Sequence, residues 1–176
     1  MPSPARTRLR ALHRALGIPA DYAKRRHLPW QREARQLVSI GPAADDGKRL
    51  RLAPRAAAAW RRMRAAAAEA GIELLPLSAF RSVTRQAKLI RRKLAAGQSI
   101  DVILQHVAAP GCSEHHTGRA LDLGSRDHVG LEEDFARTPA FRWLARHAAK
   151  FGFRLSYPRH NPSGIVYEPW HWFWHG

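Results

Sequence analysis

Cysteine is nearly absent. Cys112 stands alone in 176 positions, which excludes an internal disulfide and any zinc site built from several cysteines. Acidic residues are also scarce, with 14 Asp and Glu against 30 Lys and Arg, so the formal net charge is +16. No run of about 18 apolar residues occurs, and no membrane-spanning helix is expected. The first 30 residues carry arginines but lack the apolar block of a secretory leader. On that ground the chain is expected in the cytoplasm, or in the periplasm or cell wall if another route exports it.

Basic charge collects at the start, where residues 1–36 hold nine Lys and Arg against two acids. The bland reading is a solvated face, and the functional one is attraction to an acidic polymer. Neither paired cysteines and histidines nor the aromatic sheet motif of nucleic-acid modules accompanies the charge, so nucleic acid is not the expected partner. We read residues 1–36 as a basic N-terminal extension and residues 37–176 as one domain.

Within that domain the punctuation is clear. PRAAAAWRRMRAAAAEAG begins with Pro54 and stops at Gly71, a helix with both ends marked. IELLPLSA, residues 72–79, reads as a buried strand with Pro76 as an irregularity. Ser82 can cap a helix that runs to Gly97, and a short helix is expected in SIDVILQHVA. ALDLG, residues 120–124, reads as a strand. Thr138, Pro139 and Gly152 delimit a further helix, and FRLSYP and the terminal HWFWH read as strands. Helices and strands mix without a repeated strand–helix unit, which argues for an α+β fold.

The reactive side chains gather in SAFRSVTRQ (78–86), SEHHTGRALD (113–122) and YEPWHW (167–172). Together they offer what a zinc hydrolase needs. Catalytic zinc takes three nitrogen or oxygen ligands and keeps one position open. A carboxylate outside the ligand set must serve as base, and a cation must answer developing negative charge. His115 or His116, Asp122 and His171 are candidate ligands, Glu168 the base and Arg81 the cation. A cysteine nucleophile at Cys112 would leave Glu168 and Arg81 unused, so we read it as a small semi-buried residue.

SxHxxGxAxD followed some fifty residues later by EPWH resembles the D-alanyl-D-alanine carboxypeptidase (VanY-type) family of zinc peptidases. Ser113, His115, Gly118, Ala120 and Asp122 form the first block here, and Glu168, Pro169, Trp170 and His171 the second. The upstream SAFRS, with Gln86 following, resembles the family's serine–aromatic–arginine–serine segment. Position 112, often aromatic in such proteins, is cysteine here.

The resemblance implies a single α+β domain around a small antiparallel sheet flanked by helices, shared with murein peptidases and Hedgehog-type signalling domains. It implies one zinc ion on His115, Asp122 and His171, with Glu168 as base and Arg81 holding the oxyanion or the substrate's carboxylate. Ser113 and Gln86 would line the substrate site. His115 rather than His116 meets the motif's spacing, and His116 is expected on extended backbone, turned away and partly exposed. The implied activity removes a terminal D-amino acid from a peptidoglycan peptide. An L,D-carboxypeptidase, a murein endopeptidase, or a non-catalytic wall- or polyanion-binding domain are the alternatives.

Overall fold

β3 (Leu75–Ser78), β4 (Ala120–Gly124), β6 (His171–Trp174) and β5 (Phe153–Leu155) lie in that order in one antiparallel sheet. They belong to a computed structural model that describes residues 4–176. β4 is central and buried along its whole length, because neighbours flank it on both edges. Side chains alternate across a strand. Leu121, Leu123 and Trp172 therefore enter the main apolar cluster, while Asp122 and His171 share the opposite face.

Helix α3 (Pro54–Glu69) covers the apolar face of the sheet. Ala56, Ala59, Trp60, Met63 and Ala67 recur at helical spacing and are buried, whereas Arg61, Arg62 and Arg64 are exposed. The small alanine side chains let the helix axis approach closely, with Trp60 filling the space between. Helix α6 (Pro139–His147) completes this layer through Leu144. Thr138 caps it by accepting a hydrogen bond from the Phe141 N–H at 3.1 Å.

Helices α4 (Val83–Ala95) and α5 (Ile100–His106) stand on the other side, and Ser82 accepts from the Arg85 N–H as expected for its cap. One element was not anticipated and one expectation needs correction. Ahead of α3 the chain forms a hairpin of β1 (Val38–Pro42) and β2 (Arg49–Leu52). The chain turns there through AspAspGly, with Gly47 at φ 67°, a residue type suited to that conformation. The strand expected over FRLSYP also shortens to Phe153–Leu155.

Residues 4–36, expected as an extension, are folded against the rest of the chain. Helix α1 (Pro4–Ala15) turns Leu9 and Leu12 inward and its arginines outward. Leu16, Ile18 and Tyr22, the last on α2 (Tyr22–Arg25), close a second apolar cluster with Ile90, Ile103, Leu104 and Cys112. The Gln31 N–H donates to the Gly111 carbonyl, and the Ala34 N–H to that of His116, both at 2.8 Å. Packing continues across residue 36. Leu16 is only 3% exposed, so Leu16→Ala should cost about 2–5 kcal/mol in denaturant unfolding. A change below about 0.5 kcal/mol would show the segment to be loosely attached.

Candidate metal centre

The central strand sets the geometry. Asp122 lies opposite Ser78 on one side and opposite His171 on the other. Directly paired residues on neighbouring strands project to the same face, which brings the Asp122 and His171 side chains together. Asp122 Oδ1 is 3.0 Å from His171 Nδ1. The third member arrives from a 3₁₀ turn over Glu114–Thr117. That turn ends at Gly118, whose φ is 64°. A Cβ there would lie 2.8 Å from Leu37 Cδ2 and 2.9 Å from the Ala53 nitrogen. Gly118 thus lets the chain reverse tightly into β4 and carry His115 over the sheet.

His115 donates from Nδ1 to the Ala79 carbonyl at 2.6 Å, which leaves the Nε2 lone pair facing Asp122 Oδ2 at 3.2 Å. Burial lowers the His115 pKa, with Asp122 opposing the shift. Two acceptors at such a distance repel unless a cation or shared proton lies between them. The His115, Asp122 and His171 donor atoms all lie within 4.8 Å of one another. Two imidazole nitrogens and a carboxylate oxygen form a donor set that fits zinc. Burial penalises the Asp122 carboxylate, yet His115 and His171 outweigh it and hold its pKa well below the usual range.

His171 stands between two carboxylates. Burial lowers its pKa, but Asp122 and Glu114 prevail and raise it to about 10. A metal ion taking Nδ1 would therefore displace a proton.

Glu168 is buried, with Oε2 3.9 Å from His171 Nδ1 and beyond hydrogen-bonding reach. Burial raises its pKa to about 8, against the lowering effect of His171 and Arg81. The chain bends between the two residues as the His171 N–H returns to the Glu168 carbonyl. This puts a carboxylate beside the donor triad without making it a member.

Arg81, Gln86 and Ser113 line the same cleft of about 540 Å³, so every residue expected at the site reaches it. Among the described residues, Arg81 Nε and Gln86 Oε1 are buried without a hydrogen-bond partner, while Gln86 Nε2 donates to the Ala108 carbonyl at 2.6 Å. Burial pushes the Cys112 thiol up to about 12 and removes it as a nucleophile.

His116 departs from expectation. It sits in the 3₁₀ turn rather than on extended backbone, and it is fully buried rather than partly exposed. Nδ1 donates to the Arg81 carbonyl at 2.6 Å, and Nε2 accepts from the Gly111 N–H at 3.0 Å. Burial lowers its pKa to about 4, so the ring is a neutral strut beneath the backbone of Arg81. Two further residues escaped the sequence reading. Tyr157 places its ring 4.9 Å from that of His171, and burial raises its phenol well above the usual value. Glu114 accepts from His171 Nε2 at 2.8 Å. A carboxylate directly preceding a candidate ligand was the available signal for Glu114; Tyr157 carried none.

His115→Ala should abolish metal uptake in a titration, whereas His116→Ala should retain the donor triad and bind metal with reduced stability of the fold. The opposite pattern would reassign the ligand. Glu168 supplies a pH test on metal-free protein. Its folded pKa of about 8 exceeds the ordinary 4.5, so the folded state takes up a proton between those values and loses stability as pH rises through them. In chelator, the melting temperature of Glu168→Gln should therefore climb relative to wild type across that window. Parallel melting profiles would show that Glu168 titrates as a solvated carboxylate.

The sequence profile of the D-alanyl-D-alanine carboxypeptidase (VanY) family matches residues 49–176. YodJ of Bacillus subtilis (strain 168) is 38% identical over 120 residues, covering 66% of this chain and 43% of that protein. The bifunctional D-Ala-D-Ala dipeptidase and D-Ala-D-Ala carboxypeptidase VanXYC of Enterococcus gallinarum is 35% identical over 129 residues, 68% of this chain and 65% of its own. The chain thus spans less than two thirds of either curated relative. Among solved structures, the LdcB LD-carboxypeptidase superposes with a TM-score of 0.73 at 33% identity, over 84% of this chain and 72% of that one. With the His–Asp–His cluster and Glu168 in place on the same sheet, the chain belongs to the VanY family of D-alanyl-D-alanine carboxypeptidases.

Proposed function

We propose that this protein is a zinc-dependent D-alanyl-D-alanine carboxypeptidase that releases the terminal D-amino acid from a peptidoglycan-derived peptide. The carrying observation is the convergence of His115, Asp122 and His171 beside a non-ligating Glu168 in one cleft. VanYB, solved in complex with D-alanine-D-alanine, supports the substrate class; it superposes with a TM-score of 0.64 at 25% identity, over 84% of this chain and 81% of that one. The exposed Arg8, Arg10 and Arg14 support an added contact with an acidic wall polymer.

Zinc held by His115 Nε2, an Asp122 oxygen and His171 Nδ1 would supply Lewis acidity toward water and the peptide carbonyl. Glu168 takes a proton from the attacking water and delivers it to the leaving amine as the C–N bond breaks. A carboxylate with a raised pKa can exchange protons near neutral pH in both directions. Arg81 faces the charge that gathers on the carbonyl oxygen or on the substrate's own terminus, with a buried Nε still free to donate. Gln86 Oε1 is similarly free to accept from a substrate N–H.

The likeness to the LdcB LD-carboxypeptidase makes L,D-cleavage the second reading, because the three sequence blocks do not encode substrate stereochemistry. Mass spectrometry of zinc-loaded protein with a muropeptide pentapeptide and tetrapeptide separates them. We expect the pentapeptide to lose one D-alanine and the tetrapeptide to persist. Exclusive loss from the tetrapeptide would convert the reading to an L,D-carboxypeptidase, and inertness toward both would reject it. Glu168→Gln should keep the metal and lose about 10²–10⁴-fold in rate, while a drop below about tenfold would remove Glu168 from the role of base.

A further inference from the structure

Glu114 lies between two residues already placed at the site, Ser113 and His115, yet neither the donor triad nor proton transfer uses it. Its Oε2 accepts from His171 Nε2 at 2.8 Å and from Ser156 Oγ at 2.7 Å. The side chain is 18% exposed, while that of His171 is 3% exposed. The Glu114 carboxylate is thus held by two hydrogen bonds against the far nitrogen of a candidate ligand.

We infer that Glu114 is a positioning residue that sets the tautomer and ring orientation of His171, and so tunes the affinity of the metal centre. An imidazole that donates from one nitrogen presents the lone pair of the other. With Nε2–H committed to Glu114, Nδ1 is the nitrogen left to face Asp122 and a cation. The carboxylate also strengthens Nδ1 as a donor, as outer partners of metal-bound histidines do.

The second ligand is treated differently, since His115 Nδ1 donates to a neutral carbonyl, that of Ala79. Charge is therefore added behind one ligand only. The 3₁₀ turn both supplies His115 and orients His171, which makes the geometry of one ligand depend on the seating of the other. Ser156, just beyond β5, anchors the carboxylate from the opposite side.

The inference rests on the metal site proposed above, and its test reads metal binding rather than hydrolysis. Zinc dissociation constants come from competition with a chromophoric chelator, and cobalt(II) absorption reports the ligand field. Glu114→Ala should weaken zinc by about 10–100-fold and shift the cobalt band. Glu114→Gln should recover part of that loss, because its amide oxygen still accepts from Nε2–H. A purely structural role would lower the melting temperature in chelator without the graded order of zinc affinities. Zinc affinity of Glu114→Ala within about threefold of wild type, with an unchanged cobalt spectrum, would overturn the inference and leave the metal site standing. Should Glu114→Ala fail to fold, Glu114→Gln and Ser156→Ala decide, and unchanged zinc affinity in both overturns it. Wild-type protein that takes up no zinc would instead overturn the metal site, and the inference with it.

Discussion

Asp122 carries a negative charge on the central strand of the sheet with 3% of its surface exposed. A buried, unpaired carboxylate costs several kcal/mol, more than most single contacts can offset. Two imidazoles facing it from separate elements make its burial tolerable, and a divalent cation among the three would do so further. Much of the local architecture serves that requirement. β6 must pair in the register that sets His171 opposite Asp122, and the 3₁₀ turn must bring His115 over the same face.

The sheet separates this polar constellation from the core. Leu121, Leu123 and Trp172 point toward α3 and α6, so strand register is secured by apolar packing on one face while polar groups converge on the other. A slip of one residue would bury the wrong set on both faces at once. The polar side is braced by bonds that are neither ligands nor catalysts. His116 props the backbone of Arg81 against Gly111, and Ala79 holds His115. Residues 4–36 contribute to this bracing through Gln31 and Ala34, and through Leu16 and Tyr22 beneath α4 and α5.

The same separation frames the chemistry. Glu168 keeps a raised pKa because it is buried near, but not bonded to, the donor triad. Arg81 and Gln86 hold buried polar atoms with no partner among the described residues. Such atoms are costly unless a ligand satisfies them. Both residues line the cleft that holds the donor triad.

Local events and the inventory of reactive side chains were legible along the chain. Pro54, Ser82 and Thr138 begin their helices because a fixed φ or a capping oxygen acts on the nearest turn. The residues alone left His115 and His116 open, the family resemblance implied His115, Asp122, Glu168 and His171, and all four reach one cleft. The hairpin of β1 and β2 was also legible in principle, since ArgLeuArgLeu alternates with the buried and exposed faces of β2. The rest depended on long-range contacts. His116 and His115 are adjacent and chemically identical, and their fates diverge because Arg81 and Gly111 meet one ring while Ala79 and Asp122 meet the other. Glu114 acquires its partner from a residue 57 positions away. Residues 1–36 looked separable by charge, yet within the described part Leu16, Ile18 and Tyr22 join one apolar cluster with Ile90 and Ile103. Capping and periodicity are short-range and can be read along the chain, whereas burial and pairing depend on which distant surfaces the fold brings into contact.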